Sequence, residues 1–263
     1  MAKTAIVTGG TSGIGLQTAL SLSNDYHYVV YVLSRREFEQ EGLKHICCDV
    51  SNEEEVRKAV NEVIDREDRI DLVVNCAGMG ISGAIEYTDL DDAKRLVDVN
   101  FFGTVNINKA CIKYLRETKG RIINISSVAG VVPIPFQTFY SASKAAINSY
   151  SLALANELKP FGVQVCAVMP GDTATGFTAA RKKSEKGDEL YEGRISRSVS
   201  RMEKDELGGA DSSVAGKTIA TVANRTKLPP LYTIGFSYKL VNFLMKILPV
   251  SLSQKLVYIL YAK

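Results

Sequence analysis

Histidine and cysteine are scarce in this chain of 263 residues. The two histidines, His27 and His45, and the five cysteines have no spacing that would hold zinc, so we expect no metal centre. The cysteines lie mostly in apolar, strand-like runs, which predicts buried, reduced thiols in a cytoplasmic protein. They are Cys47, Cys48, Cys76, Cys111 and Cys166.

Long apolar runs and a strong charge imbalance are also missing. No uninterrupted apolar run reaches the roughly 18 residues that a membrane-spanning helix needs. A strand-like run begins almost at once, in MAKTAIVTGG, so we expect no signal peptide. The formal net charge of +3 comes from scattered basic residues, and we therefore expect no nucleic-acid partner.

What the sequence does contain is a regular alternation of apolar runs and helical segments over its first two thirds. The strand-like runs are TAIVTGG, HYVVYVLS, HICCDV, IDLVVNCAG, GRIINISS and VQVCAVMPG. Near-continuous Val, Ile and Cys indicate parallel strands that are buried on both faces. We predict an α/β protein with a Rossmann-like, doubly wound sheet of about seven parallel strands and helices on both faces. No linker or repeat divides the chain, so we expect one domain over residues 1–263.

The alternation stops after Pro170. Residues 172–209 are polar and rich in both charges, which predicts an irregular or mobile lid over the site. Within it, Arg181, Lys182 and Lys183 could meet a carboxylate on a substrate, although solvation is the simpler expectation. Residues 231–263 form a strongly apolar extension interrupted by lysines. This amphipathic extension could lie on a membrane surface, cover an apolar substrate or contact a partner subunit, but we favour packing against the protein's own core.

The segment TGGTSGIG, residues 8–15, follows a strand and opens a helix. Glycines there leave no Cβ between the backbone and a phosphate, and the helix N-terminus supplies free amide protons. In the first strand-to-helix turn of such a sheet, this pattern predicts dinucleotide binding. The residues that we expect to bind the cofactor here are Gly9, Thr11, Ser12, Gly13, Ile14 and Gly15.

The end of the second strand reads VLSRRE and carries no acidic residue at the strand end. An acid at that point would bind the ribose hydroxyls of NAD, whereas Ser34, Arg35 and Arg36 suit the additional phosphate of NADP. We therefore predict NADP(H) as the preferred cofactor, with NAD(H) as the alternative. The competing interpretation is an exposed loop with ordinary solvated arginines.

Five motifs occur in an order that resembles the short-chain dehydrogenase/reductase family. They are TGGTSGIG, NCAG at residues 75–78, VNFFG around Asn100, ISS ending at Ser127, and YSASK at residues 140–144. Ser127 precedes Tyr140 by thirteen residues, which is the spacing of that family. The resemblance covers residues 3–175, and the tail is similar to the steroid, retinol and acyl-chain reductase branches.

The resemblance implies catalytic roles for Asn100, Ser127, Tyr140 and Lys144. Tyr140 would be the general acid/base, and the Lys144 ammonium one helix turn away would lower its pKa and hold the nicotinamide ribose. Ser127 would position the substrate oxygen, and Asn100 would hold a water that relays protons. The simpler alternatives are a turn serine, a buried asparagine bonded to backbone and a core tyrosine.

The resemblance also implies further cofactor contacts. Asp49 resembles the residue that binds the adenine amine, and Thr173 stands where the family usually has Ile or Val. The complete implied set beyond the glycine-rich turn and Ser34, Arg35 and Arg36 is Asp49, Val50, Asn75, Ala77, Gly78, Tyr140, Lys144, Pro170, Gly171, Thr173 and Thr175.

Together these observations predict an NADP(H)-dependent oxidoreductase that interconverts a carbonyl and a secondary alcohol. The expected substrate is small and hydrophobic, of the hydroxysteroid, bile-acid or acyl-chain type. The alternatives are a 3-oxoacyl thioester reductase and a non-catalytic NADP-sensing regulator, and the regulator would be expected to lack one of the four catalytic residues. The expected assembly is a homodimer or homotetramer in the cytoplasm, with membrane association through residues 231–263 as an open alternative.

Overall fold

The structure is a computed structural model and describes residues 2–263. The strands in this range, in chain order, are β1 (Thr4–Thr8), β2 (Val29–Ser34), β3 (Leu43–Cys47), β4 (Leu72–Asn75), β5 (Ile81–Ser82), β6 (Arg121–Ile125), β7 (Gln164–Met169), β8 (Thr173–Ala174), β9 (Lys182–Lys183), β10 (Ala210–Asp211) and β11 (Leu231–Thr233). Seven of them form one sheet in the order β11-β7-β6-β4-β1-β2-β3, and every neighbouring pair is parallel. The predicted sheet is confirmed.

Helices connect the strands. They are α1 (Gly13–Asn24), α2 (Glu53–Glu67), α3 (Leu90–Val97), α4 (Gly103–Thr118), α5 (Thr138–Leu158), α6 (Phe177–Ala180), α7 (Arg194–Leu207), α8 (Ser212–Ala223), α9 (Phe236–Ile247) and α10 (Val250–Tyr261). Local signals explain where several of them begin. For example, the Asn52 side chain accepts from the backbone N–H groups of Glu54 and Glu55, and three glutamates occupy the first turn of α2.

Both faces of the sheet are covered. On β1, Ile6 packs into a cluster with residues of α2, α4 and α5, whereas Ala5 and Val7 pack on the opposite face with residues of α1 and α8. Because successive strand residues point to opposite faces, a continuous apolar run is required for a strand covered on both sides. The strand order reverses next to β1, whose two neighbours are β2 and β4, and this creates a crevice at the carboxyl ends of the strands.

Two expectations for the back third are wrong. Residues 194–207 form the helix α7, so the lid is not irregular throughout. The apolar side chains of α9 and α10 do not pack into the protein's core: most of them are exposed, and the buried residue of α9 is Asn242. No helix within residues 2–263 combines the length and the apolar character needed to cross a bilayer.

The cysteines follow their prediction only in part. All five are free thiols, and Cys48, Cys111 and Cys166 are buried. Cys47 is exposed, because it ends the edge strand β3, and Cys111 lies on α4 rather than on a strand. The expectation of a buried thiol is therefore wrong for Cys47 and is confirmed for Cys111, which is buried on a helix.

Candidate active site

A cavity of about 580 Å³ lies at the carboxyl ends of the central strands. It is lined by residues that follow β1, β2, β3, β4, β6 and β7, which is where the topology places a ligand crevice. All the predicted catalytic and cofactor-binding residues line it except Asn75 and Asn100. Segments far apart in sequence are thus brought to one place by parallel strand order.

The glycine-rich turn has the form of a phosphate cradle. Gly9 and Gly13 have φ of +63° and +53°, and a Cβ at Gly9 would stand 2.8 Å from the Ala77 backbone. Ser12 precedes α1 without capping it through its side chain, and the first turn of α1 has no acidic residue. The amides at this helix N-terminus are therefore free for an anion, and the residues present fit the pyrophosphate of a dinucleotide.

The end of β2 forms a second, basic part of the cavity. Arg35 and Arg36 are exposed cavity residues that form no ion pair within residues 2–263. The Ser34 hydroxyl is bonded to the Arg36 carbonyl at 3.0 Å and to the His45 ring at 2.8 Å. Burial raises the pKa of Asp49, but hydrogen bonds from Ser51 and the charge of Arg35 outweigh it, so the pKa is lowered overall. This part of the cavity fits an anionic group near Arg35 and Arg36.

Tyr140 and Lys144 lie one turn apart on α5, as their spacing predicts. The Lys144 Nζ donates to the Ile125 carbonyl at the end of β6, at 2.9 Å, and lies 5.7 Å from the centre of the Tyr140 ring. Ser126 donates to the Lys144 carbonyl at 2.8 Å. On its other side, the Tyr140 ring packs against Phe177, with 5.7 Å between centroids. The end of β6 therefore holds Lys144, and Phe177 packs against Tyr140.

The pKa of Tyr140 is raised, whereas the family resemblance implies that it is lowered. Burial raises it to about 12, and the interaction with the Ser127 hydroxyl only partly counters this effect. Burial also lowers the pKa of Lys144 to about 8, because the charged ammonium loses hydration. In the protein without ligand, desolvation therefore exceeds the expected effect of the ammonium on the phenol, and Tyr140 is a firmly protonated donor.

Ser127 directly precedes a short 3-10 turn, Val128–Gly130. Its hydroxyl accepts from the Ala129 N–H at 3.1 Å, so the turn role considered from sequence is real, yet the residue also lines the cavity. Gly130 has no room for a side chain, since a Cβ would stand 2.8 Å from the Lys144 backbone. The turn that carries Ser127 is thus packed directly on α5.

Asn100 and Asn75 lie behind the cavity wall. Asn100 is buried in a π-helical turn, Asp98–Phe102; its side chain accepts from the Met79 N–H at 2.8 Å and donates to the Met79 carbonyl and to Ser143. The proton-relay water assigned to Asn100 from the resemblance stays a prediction.

Asn75 belongs to a buried polar cluster. It donates to the side-chain oxygens of Asn108 and Asn124, at 2.8 and 2.9 Å, and Asn124 donates to Ser151. The cluster joins β4, α4, β6 and α5. Asn75 therefore joins the elements that lie behind the cavity. It does not itself line the cavity, where a residue in direct contact with a cofactor would be expected.

Sequence reasoning missed a group of acidic residues on the far side of Tyr140. Asp172, Asp205 and Glu206 line the cavity. Burial raises the pKa of Asp172, and the negative charges of Asp205 and Glu206 raise it further, against a hydrogen bond from Tyr238. Only the position of Asp172 beside the Pro170–Gly171 motif gave any signal in sequence. Within residues 2–263, no three or more His, Cys, Asp or Glu side chains are placed to hold a metal ion.

Of the three basic residues at positions 181–183, Arg181 is not solvated, contrary to expectation, whereas Lys182 and Lys183 are exposed as expected. Arg181 is buried and pairs with Glu206, while Lys182 pairs with Asp92 at 2.5 Å and Lys183 pairs with Glu203. These pairs tie residues 181–183 to α3 and α7. The acidic partners lie far from them in sequence, which is why a local pattern could not show the pairing.

Comparisons with known proteins agree with this geometry. A sequence profile described as short chain dehydrogenase matches residues 3–186. The chain is 42% identical to a 3-ketodihydrosphingosine reductase from Bacteroides thetaiotaomicron, over 88% of this chain and 90% of that protein. It is similar in structure to a short-chain dehydrogenase from Streptomyces avermitilis, with a TM-score of 0.83 and 27% identity over 98% of this chain and 96% of that one. ElxO with NADP bound gives a TM-score of 0.74 at 26% identity, over 91% of this chain and 99% of that one.

Proposed function

The chain belongs to the short-chain dehydrogenase family of oxidoreductases, and from this premise we propose that it reduces a ketone on a long-chain, amine-bearing substrate with NADPH. The observation that carries the proposal is the convergence of Ser127, Tyr140 and Lys144 on one cavity that also holds a phosphate cradle. A non-catalytic regulator would be expected to lack at least one of the four catalytic residues, and the presence of all four argues against that alternative.

The proton needed at the carbonyl oxygen comes from Tyr140. Its raised pKa keeps the phenol protonated at neutral pH, as reduction requires. The Ser127 hydroxyl donates to the same carbonyl oxygen and positions it. The Lys144 ammonium donates to the Ile125 carbonyl and is thereby held beside the Tyr140 phenol, one turn away on α5. When bound, NADP(H) supplies a hydride to the carbonyl carbon or accepts one from the alcohol carbon.

The preference for NADP(H) rests on Arg35 and Arg36. Both guanidinium groups line the cavity at the end of β2 and are free of carboxylate partners within residues 2–263. Guanidinium groups bind phosphate through two parallel hydrogen bonds, so they suit the 2′-phosphate that distinguishes NADP from NAD. The NADP-bound relative ElxO is consistent with this assignment.

The substrate class follows from two opposite properties of the cavity. Asp172 lines the cavity and forms no ion pair within residues 2–263, so its carboxylate is available to an ammonium group, whereas Glu206 and Asp205 are already paired with Arg181 and Arg201. The apolar residues Val241 and Leu260 line another part of the same cavity. A ketone on a long-chain amino alcohol meets both requirements, as in 3-ketodihydrosphingosine, the compound named for the Bacteroides relative. Steroids and 3-oxoacyl thioesters have no ammonium group that could pair with the Asp172 carboxylate.

The test is a comparison of substrates with the purified protein and NADPH. We expect the highest kcat/KM for 3-ketodihydrosphingosine and a much lower value for the matched long-chain ketone without the amine. Asp172→Asn should reduce that difference while the deaminated ketone is turned over as before. Higher kcat/KM for a ketosteroid or a 3-oxoacyl thioester would refute the substrate class but leave the reaction class standing.

A further inference from the structure

The last two helices, α9 and α10, turn their apolar side chains outward. Phe236 and Val250 are 85% and 75% exposed, and Phe243 and Ile247 are 59% and 60% exposed. The complete set of large apolar residues exposed on these helices is Phe236, Leu240, Val241, Phe243, Leu244, Ile247, Val250, Leu252, Leu256, Tyr258, Ile259 and Leu260. We call these residues the C-terminal apolar patch. Scattered apolar residues are normal on a protein surface, but twelve large apolar residues exposed on two consecutive helices mark an interaction site.

The inner face of α9 is the reverse of an ordinary amphipathic arrangement, and that of α10 is mixed. Asn242 of α9 is buried and donates to Thr233 of β11 at 2.8 Å. In α10 the buried positions are Ser253 and Val257. A helix that turns a polar residue inward and apolar residues outward, as α9 does, is suited to an apolar phase outside the protein.

The charge of this segment is one-sided. Residues 231–263 contain four lysines, Lys239, Lys246, Lys255 and Lys263, and no Asp or Glu. The remaining residues carry 28 of the 32 basic and all 29 acidic side chains of the chain, so the formal net charge is −1 outside this segment and +4 within it. All four lysines are exposed, and a helical projection places Lys239 and Lys246 beside the apolar residues of α9. Lysines in this position reach the phosphates of a lipid surface while their stems cover apolar area.

We propose that the C-terminal apolar patch docks the protein on the surface of an anionic phospholipid bilayer. Each helix has 12 residues and is therefore about 18 Å long, which suits a helix lying in the plane of the interface rather than crossing it. A second copy of the chain is the poorer occupant. In a twofold contact the same surface faces itself, so the lysines would oppose a patch that has no acidic residue.

The patch is continuous with the active-site cavity. Val241 and Leu260 belong both to the exposed patch and to the cavity lining. Tyr238 and Tyr261, from the same two helices, also line the cavity. A long-chain substrate can therefore pass from the bilayer into the cavity without its chain crossing water. Docking does not depend on the proposed reaction, because it can be measured without turnover.

The experiment is flotation of the full chain with vesicles of phosphatidylcholine alone and of phosphatidylcholine mixed with phosphatidylglycerol. We expect the protein to float with the mixed vesicles and more weakly with the neutral ones. The double variant Phe243→Ser/Ile247→Ser should lose roughly tenfold or more of its binding to both. The triple variant with Lys239, Lys246 and Lys255 changed to Gln should lose on the order of 100-fold on the mixed vesicles only.

Leu90→Ser is the matched control, since Leu90 begins α3 and is 61% exposed, close to the 60% of Ile247. It should float like the unchanged protein, and all variants should keep NADPH binding and turnover of a short, water-soluble ketone. Absence of flotation, or equal flotation of the double variant and the unchanged protein, would overturn the proposal. A second result would also overturn the proposal: the unchanged protein is an oligomer that does not bind vesicles, and the double variant is a monomer. The patch would then be covered by a second copy of the chain.

Discussion

The Nζ of Lys144 lies 5.7 Å from the centre of the Tyr140 ring, and it donates at 2.9 Å to the Ile125 carbonyl. The lysine is therefore tied to the sheet while its charge lies beside the ring. Because both groups are buried, their pKa values are governed first by desolvation: that of the phenol is raised to about 12 and that of the ammonium is lowered to about 8.

Tyr140→Phe removes the proton donor and keeps the ring that packs on Phe177. We expect kcat for ketone reduction to fall by roughly 10²- to 10⁴-fold, the usual contribution of a positioned general acid. NADPH affinity, measured by fluorescence titration, should change little. Near-normal turnover by this variant would show that another group donates the proton.

The lowered pKa of Lys144 predicts a pH-dependent stability. Below pH 8 the buried lysine is charged in both states, and its desolvation costs on the order of 3 kcal/mol. Between pH 8 and about 10.5 the unfolded chain binds more protons at this residue than the folded chain does, so the contribution of Lys144 to the free energy of unfolding rises with pH. Denaturant unfolding of the protein and of Lys144→Met should therefore show a stability difference that moves in favour of the unchanged protein over this range. A difference that is independent of pH would contradict the lowered pKa.

Arg35→Ala tests the cofactor preference. Loss of a charge-assisted contact to the 2′-phosphate should raise the KM for NADPH by about 10- to 100-fold. The KM for NADH is the internal control and should stay within about twofold, because NADH lacks that phosphate. If the KM for both cofactors rises equally, or if neither changes, Arg35 does not determine the preference.

Glu206→Gln breaks the pair that Glu206 makes with the buried Arg181, whose side chain is 1% exposed. An uncompensated buried guanidinium should cost about 3 kcal/mol or more in unfolding free energy. Asp92→Asn is the control, because its partner Lys182 is 64% exposed, and it should cost less than about 1 kcal/mol. Equal losses in urea unfolding would mean that burial does not separate the two pairs.

The strands and catalytic residues in the first two thirds of the chain could be predicted because their sequence signals are local. Continuous apolar runs, which burial on both faces of a sheet requires, indicated the strands. The spacing of Tyr140 and Lys144 indicated that they share one helix face. Pairings between distant segments left no such signal, and so Arg181 was expected to be solvated. The direction of the Tyr140 pKa depends on total burial, which no short motif encodes. The orientation of α9 was mispredicted because an amphipathic pattern shows that one face is apolar but not what covers it.

The cluster of Asn75, Asn108, Asn124 and Ser151 has a consequence for the internal motions of the protein. Its hydrogen bonds run between β4, α4, β6 and α5, so no one of these elements can detach without leaving a buried amide unpartnered. Amide hydrogens in β4 and β6 should therefore exchange with deuterium only through global unfolding. Those of α9 and α10, which have few buried side chains, should exchange through local opening many times faster. We therefore expect the strands behind the active site to open least often and the two C-terminal helices most often.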